Sequence, residues 1–133
     1  MSNVIGGCLC GKINYSISST LKNLLICHCD HCKKISGSAF SLNFIVKEED
    51  IKLDGEPKVY TDAGDSGNPV YRSFCSDCGS PLFARINSAP NRVVLKAGTL
   101  SDITAYKPVA EIYCSKSLNW LPEMPGTAKK ETA

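Results

Sequence analysis

The chain has 133 residues, 43% of them hydrophobic and 8% aromatic, with 15 lysines and arginines against 13 acidic residues. That length fits one domain with a single core, and a formal charge of +2 with no basic cluster beyond Lys33-Lys34 and Lys129-Lys130 lacks the footprint of a nucleic-acid binder. No segment approaches the roughly 18 consecutive apolar residues of a membrane span, and Met1 to Gly7 lacks the basic start and apolar run of an export signal.

Ile13, Tyr15 and Ile17 alternate with Asn14, Ser16 and Ser18, which predicts a strand with one apolar face. A second strand is expected at Leu24-Leu25-Ile26 and a third where Phe40, Leu42, Phe44 and Val46 alternate, followed by one helical turn or bend at Lys47 to Asp50. Gly55-Glu56-Pro57 interrupts the chain, and the turn-forming run Asp62 to Pro69 reads as an exposed loop. Further strands are predicted at Val70 to Phe74, Pro81 to Ile86, Arg92 to Ala97 and Val109 to Cys114, the middle two joined as a hairpin by Asn87 to Asn91. Trp120 is expected to pack on the core, and Gly126 onward is small and polar enough to be loose. The fold class is therefore mainly β, a small antiparallel β-sheet domain with only short helical turns, with residues 1–125 as one domain and 126–133 as a flexible tail.

Eight cysteines fall mostly into three clusters: Cys8-Leu9-Cys10, Cys27-His28-Cys29-Asp30-His31-Cys32 and Cys75-Ser76-Asp77-Cys78-Gly79. A disulfide framework needs an export context, and a thioredoxin-like Cys-x-x-Cys needs a βαβ setting; neither is present in the pattern. The reading is instead of a reduced protein of the cytoplasm or nucleus, stapled by zinc. On a strand, residues two apart face the same way, so Cys8 and Cys10 can offer two thiolates together, and a Cys-x-x-Cys turn does the same. Keeping each cluster whole assigns Cys8, Cys10, Cys75 and Cys78 to a closed structural zinc site and leaves Cys27, Cys29 and Cys32 with a second zinc. Three protein ligands with an open fourth position is the arrangement of a catalytic zinc. Cys114, His28 or His31 could each close that position instead, although Cys114 reads as a buried thiol beside Ile112 and His28 should point away from its neighbours' metal. Seven thiolates and two Zn²⁺ would change the formal charge from +2 to about −1.

The clusters with their neighbours closely resemble the glutathione-dependent formaldehyde-activating enzymes and the related centromere protein V domain. Gly6-Gly7-Cys8-Leu9-Cys10-Gly11-Lys12-Ile13-Asn14-Tyr15 is similar to that family's opening motif. Cys27-His28-Cys29-Asp30-His31-Cys32-Lys33 with Ser36-Gly37-Ser38-Ala39-Phe40 is similar to its second, and Arg72-Ser73-Phe74-Cys75-Ser76-Asp77-Cys78-Gly79-Ser80-Pro81-Leu82 to its third. Gly98-Thr99-Leu100, Ile112-Tyr113, Ser117 and Trp120 extend the resemblance, while Glu111 stands where the family often has histidine and Cys114 where it usually has another residue.

The resemblance implies a mainly β fold, two zinc ions per chain placed as above, and a carbon–sulfur lyase of the S-(hydroxymethyl)glutathione synthase kind, acting on a glutathione adduct of formaldehyde or another small aldehyde. Its partner would be a small-molecule thiol, glutathione. Kinship with centromere protein V also permits a non-catalytic zinc module that binds a protein, with both metals structural. Lys33 and Lys34 are candidates for the positive charge that an anionic zinc site needs, and Ser36-Gly37-Ser38 and the Asp62 to Pro69 loop are candidate pocket walls.

Overall fold

In a computed structural model, which describes residues 4–64 and 66–133, the apolar alternation of the sequence becomes two β-sheets packed around one core. β1 (Val4–Gly7) pairs antiparallel with β2 (Asn14–Ile17), and β2 with β5 (Ile51–Asp54), making a three-stranded sheet. β2 buries Tyr15 and Ile17, as its period of two predicts. Gly6 opposite it has to be glycine, because a Cβ there would meet the Tyr15 ring at 2.3–2.4 Å.

The larger sheet holds eight strands. β3 (Leu25–Cys27), β4 (Ser41–Lys47), β6 (Lys58–Ala63), β7 (Pro69–Phe74), β8 (Pro81–Ile86), β9 (Arg92–Lys96), β10 (Ala110–Ile112) and β11 (Ala128–Lys129) lie in the order β11-β10-β3-β4-β9-β8-β7-β6. Phe44, Val46, Leu82, Phe83, Val93 and Leu95 bury its inner face against Tyr15, Ile17 and Leu24. The layers meet edge to face where Tyr15 and Phe83 rings stand 5.6 Å apart, and the Tyr15 hydroxyl bonds the Thr99 hydroxyl at 2.7 Å. α1 (Asp30–Ser36), the one α-helix among the described residues, follows β3 and ends at Gly37, whose left-handed φ of 62° closes it. No helix among the described residues is long and apolar enough to cross a membrane.

The mainly β fold agrees with the sequence reading, as does the helical turn near Lys47, observed at Glu48–Asp50. Several details differ. The sheet is not wholly antiparallel: β10 runs parallel to both β3 and β11. The expected loop from Asp62 to Pro69 is shorter, because Asp62 and Ala63 finish β6 and Pro69 opens β7, with Gly64 N–H bonding Asn68 C=O at 2.9 Å across the turn; Asp65 lies outside the described residues. The segment from Gly126, expected to be a loose tail, contains β11, and its Lys130 and Thr132 carbonyls accept from Cys114 and Tyr113. Trp120 is 71% exposed rather than packed on the core, since the stretch between Ser117 and β11 makes only turns and presents no sheet-directed face.

Candidate metal centres

Cys8 and Cys10 lie in the connection from β1 to β2, and Cys75 and Cys78 in that from β7 to β8. The Cys8–Cys10 pair is brought together by a hairpin turn rather than by strand alternation: Gly11 N–H bonds Cys8 C=O at 3.2 Å and Cys8 N–H bonds Ile13 C=O at 2.9 Å. A matching turn, Gly79 N–H to Cys75 C=O at 2.8 Å, converges the other pair. All four sulfurs lie within 4.8 Å of one another, with Cys8–Cys10 at 3.6 Å and Cys10–Cys75 at 3.7 Å. Sulfurs ~2.3 Å from one tetrahedral ion stand about 3.8 Å apart, so this donor set fits a four-thiolate metal. The cluster shares its protons unevenly: the Ile13 N–H bonds Cys8 Sγ and lowers its pKa, the Ser80 hydroxyl holds Cys78 down at about 5, and at Cys10 the Lys12 N–H is outweighed by burial and the neighbouring sulfurs, which push the thiol up to about 12. An ion pair of Lys12 with Asp77 ties the two turns together outside the cluster.

Cys27 ends β3, Cys29 caps α1 and Cys32 lies in its first turn. Cys29 has extended backbone (φ −64°, ψ 158°), and its sulfur accepts the Cys32 N–H at 3.3 Å. Strand end, cap and first turn thus bring three sulfurs within 4.8 Å of one another, two of them on a helix too short to show a period in the sequence. Hydrogen bonds from Cys27 and Cys29 hold the Cys32 thiol well below its ordinary range, with Ser41 and Lys96 adding to the effect, and the same sharing pushes Cys27 up.

None of the residues weighed as a fourth ligand joins this cluster. His28 is buried, its Nε2 bonded to Glu111 Oε1 at 2.8 Å; His31 Nδ1 is bonded to Asp62 at 2.8 Å. Cys114 lies past the end of β10 in a 3₁₀ turn and is only partly buried, with His28 and Glu111 as its neighbours. All eight cysteines are free thiols. Lys33 is directed to Asp30 and the Lys116 carbonyl, whereas the Lys96 ammonium on β9 helps to hold the Cys32 thiol down. Of the candidate pocket walls, Asp62 lines a cavity of about 280 Å³ beside α1 with His31, Lys34, Ile35, Tyr60 and Arg72, and Arg72 Nε donates to Asp62 at 3.0 Å. Ser36 instead spends its hydroxyl on the Cys32 and Phe40 carbonyls.

Residues 3–116 match the family described as glutathione-dependent formaldehyde-activating enzyme. The chain belongs to that family. Curated relatives carry the glutathione-dependent formaldehyde-activating enzyme name. A Talaromyces marneffei protein is 29% identical over 80 residues, 60% of this chain and 42% of its own length, and an Aspergillus flavus protein is 29% identical over 90 residues, 64% of this chain and 47% of its own length. The chain thus spans less than half the length of the formaldehyde-activating relatives it matches. A crystal structure of a Rhodobacter sphaeroides protein, 15% identical, superposes with a TM-score of 0.59 over 75% of this chain and 90% of that one, and so shares the fold.

Sequence reasoning did not find Ser41, Asn43, Lys96 or the Asp62–Arg72 pair. One signal was available. On β4 the polar Asn43 takes an alternating position shared with apolar Ile45, and the structure buries the asparagine while exposing the isoleucine, the reverse of a solvent face.

Proposed function

We propose that this chain is a zinc-dependent enzyme of the carbon–sulfur lyase kind, joining or parting glutathione and formaldehyde or another small aldehyde. In the joining direction the thiol sulfur bonds to the carbonyl carbon and the thiol proton ends on the carbonyl oxygen. Cys8, Cys10, Cys75 and Cys78 would hold a structural zinc, and Cys27, Cys29 and Cys32 a catalytic zinc with an open fourth position. The observation that carries this reading is that the second cluster has three sulfurs and no fourth protein ligand among the described residues. A zinc bound there would lower the pKa of an incoming thiol and supply it as thiolate near neutral pH.

The chain's own residues prepare that position. The Cys32 N–H fixes Cys29, and strand pairing sets Ser41 opposite Cys27, so the backbone places the three sulfurs before any ligand arrives. The cavity beside α1 offers the Lys34 ammonium beside a wall in which Arg72 and Asp62 are paired with each other, which suits a thiol that carries carboxylate groups. His31, bonded to Asp62, belongs to the same helix as two of the sulfurs and so links substrate contacts to the metal centre.

Cadmium-113 NMR on cadmium-substituted protein, before and after glutathione, tests this. Two resonances are expected, one of a four-sulfur ion and one of a three-sulfur ion with oxygen, and only the second should move when glutathione is added. Two four-sulfur resonances indifferent to glutathione would make the chain a structural zinc module instead.

A further inference from the structure

Lys96 is 8% exposed, and Asn43, which it bonds, and Ser41, which Asn43 bonds in turn, are each 2% exposed. Burying an ammonium costs free energy unless a counter-charge meets it. Among the described residues this ammonium has one hydrogen-bond acceptor, Asn43 Oδ1 at 3.0 Å, and no carboxylate counter-ion. The charges that favour it belong to the sulfurs of Cys32, Cys27 and Cys29, while the neighbouring Arg72 opposes it and is itself paired with Asp62. Burial pushes the Lys96 pKa down.

The hydrogen bonds leading from Lys96 all point one way. Its Nζ donates to Asn43 Oδ1, Asn43 Nδ2 donates to Ser41 Oγ at 2.8 Å, and the β3–β4 register sets Ser41 directly opposite Cys27, where its hydroxyl favours the thiolate form of Cys32. Each donor polarises the next, so a charge at one end strengthens the bond at the other. The pairing of β4 with β9 sets Asn43 directly opposite Lys96, and Ser41 lies two residues along the same face of β4.

We infer that Lys96 is a positioning residue of the three-cysteine centre: acting through Asn43 and Ser41 it orients the Cys32 sulfur, and it supplies the positive charge that lets the centre take a fourth, anionic sulfur ligand. This rests on the zinc reading above. Three thiolates leave a divalent ion at about −1 and a substrate thiolate takes it to about −2, a charge that a dry site holds poorly without a fixed cation. Lys96 brings the sum back to about −1. The site therefore prefers an anionic sulfur to a neutral oxygen ligand more strongly than three cysteines alone would.

The test compares wild type with Lys96→Met and Ser41→Ala. Chelator competition measures the affinity of each ion, cadmium-113 NMR reads each centre, and glutathione is titrated into the metal-loaded protein. Lys96→Met should weaken the ion of the three-cysteine centre, and glutathione binding to it, by about tenfold, the size of one pK unit of interaction, while the four-cysteine ion keeps its affinity. Ser41→Ala should shift the resonance of the three-cysteine centre alone. Wild-type affinities in Lys96→Met overturn the inference. Should Lys96→Met not fold, an unmoved resonance in Ser41→Ala overturns it instead. A wild type that binds one ion per chain removes the zinc reading and the Lys96 role with it, whereas a wild type with two ions that ignores glutathione defeats the enzyme reading and leaves the metal competition to judge Lys96.

Discussion

Cys29 does two things at once: it ends the extended chain as the cap of α1, and it is one of three sulfurs facing each other. Serine caps a helix well, so Cys29→Ser should leave α1 and the fold in place while removing the second ion and any activity. Cys78→Ser should behave differently. A closed four-thiolate site contributes on the order of 10 kcal/mol to folding, comparable to the whole stability of a small domain, so its loss should unfold the protein. Metal analysis with circular dichroism on the two variants checks this, and equal damage from both would contradict the division of labour. The three cysteine clusters were legible in the sequence because their spacing is local, and keeping each whole in sets of about four joined the first to the third, as the sulfur positions do. The role argued for Lys96 was not, because it depends on the register between β4 and β9, which no residue near Lys96 announces.

At the level of elements, legibility followed burial. β2, β4 and β8 bury alternate side chains or whole faces, and their patterns were readable. β6 is exposed along nearly its whole length, so no alternation marks it, and β11 is two residues long and pairs in parallel. That last strand nonetheless completes a buried site. Thr127 donates to Glu111 Oε2 at 2.5 Å, and Lys129 lies 3.5 Å from the same oxygen, while the other oxygen holds His28. Hydrogen bonding by Thr127 and His28 outweighs burial and keeps the Glu111 carboxyl below its usual range. Deleting residues 126–133 should therefore destabilise the protein by about 1–3 kcal/mol, the worth of a hydrogen bond to a buried carboxylate, and lower the melting temperature by several degrees. An unchanged melting temperature would show that β11 adds nothing to stability.

Across the whole molecule, β4 and β9 stand between β3, which carries Cys27, and β8, which follows the Cys75–Cys78 turn. Three strand spacings set these elements about 14 Å apart laterally, far enough for the two centres to respond independently. A graded chelator should take the ion from the three-cysteine centre first with the β-sheet circular dichroism intact, and only then, with the second ion, abolish that signal. Simultaneous loss of both ions and of the sheet would mean that the two centres form one cooperative unit. The parallel seam between β3 and β10 bears on a different question, that of time. Once residue 78 has been synthesised, every sulfur of the four-cysteine centre exists, but β10 emerges more than thirty residues later. At ~5–20 residues per second that interval is on the order of seconds. Throughout it the strand bearing Cys27 lacks its outer neighbour, so in a nascent chain the three-cysteine cluster is the one left open longest to oxidants and to the wrong metal.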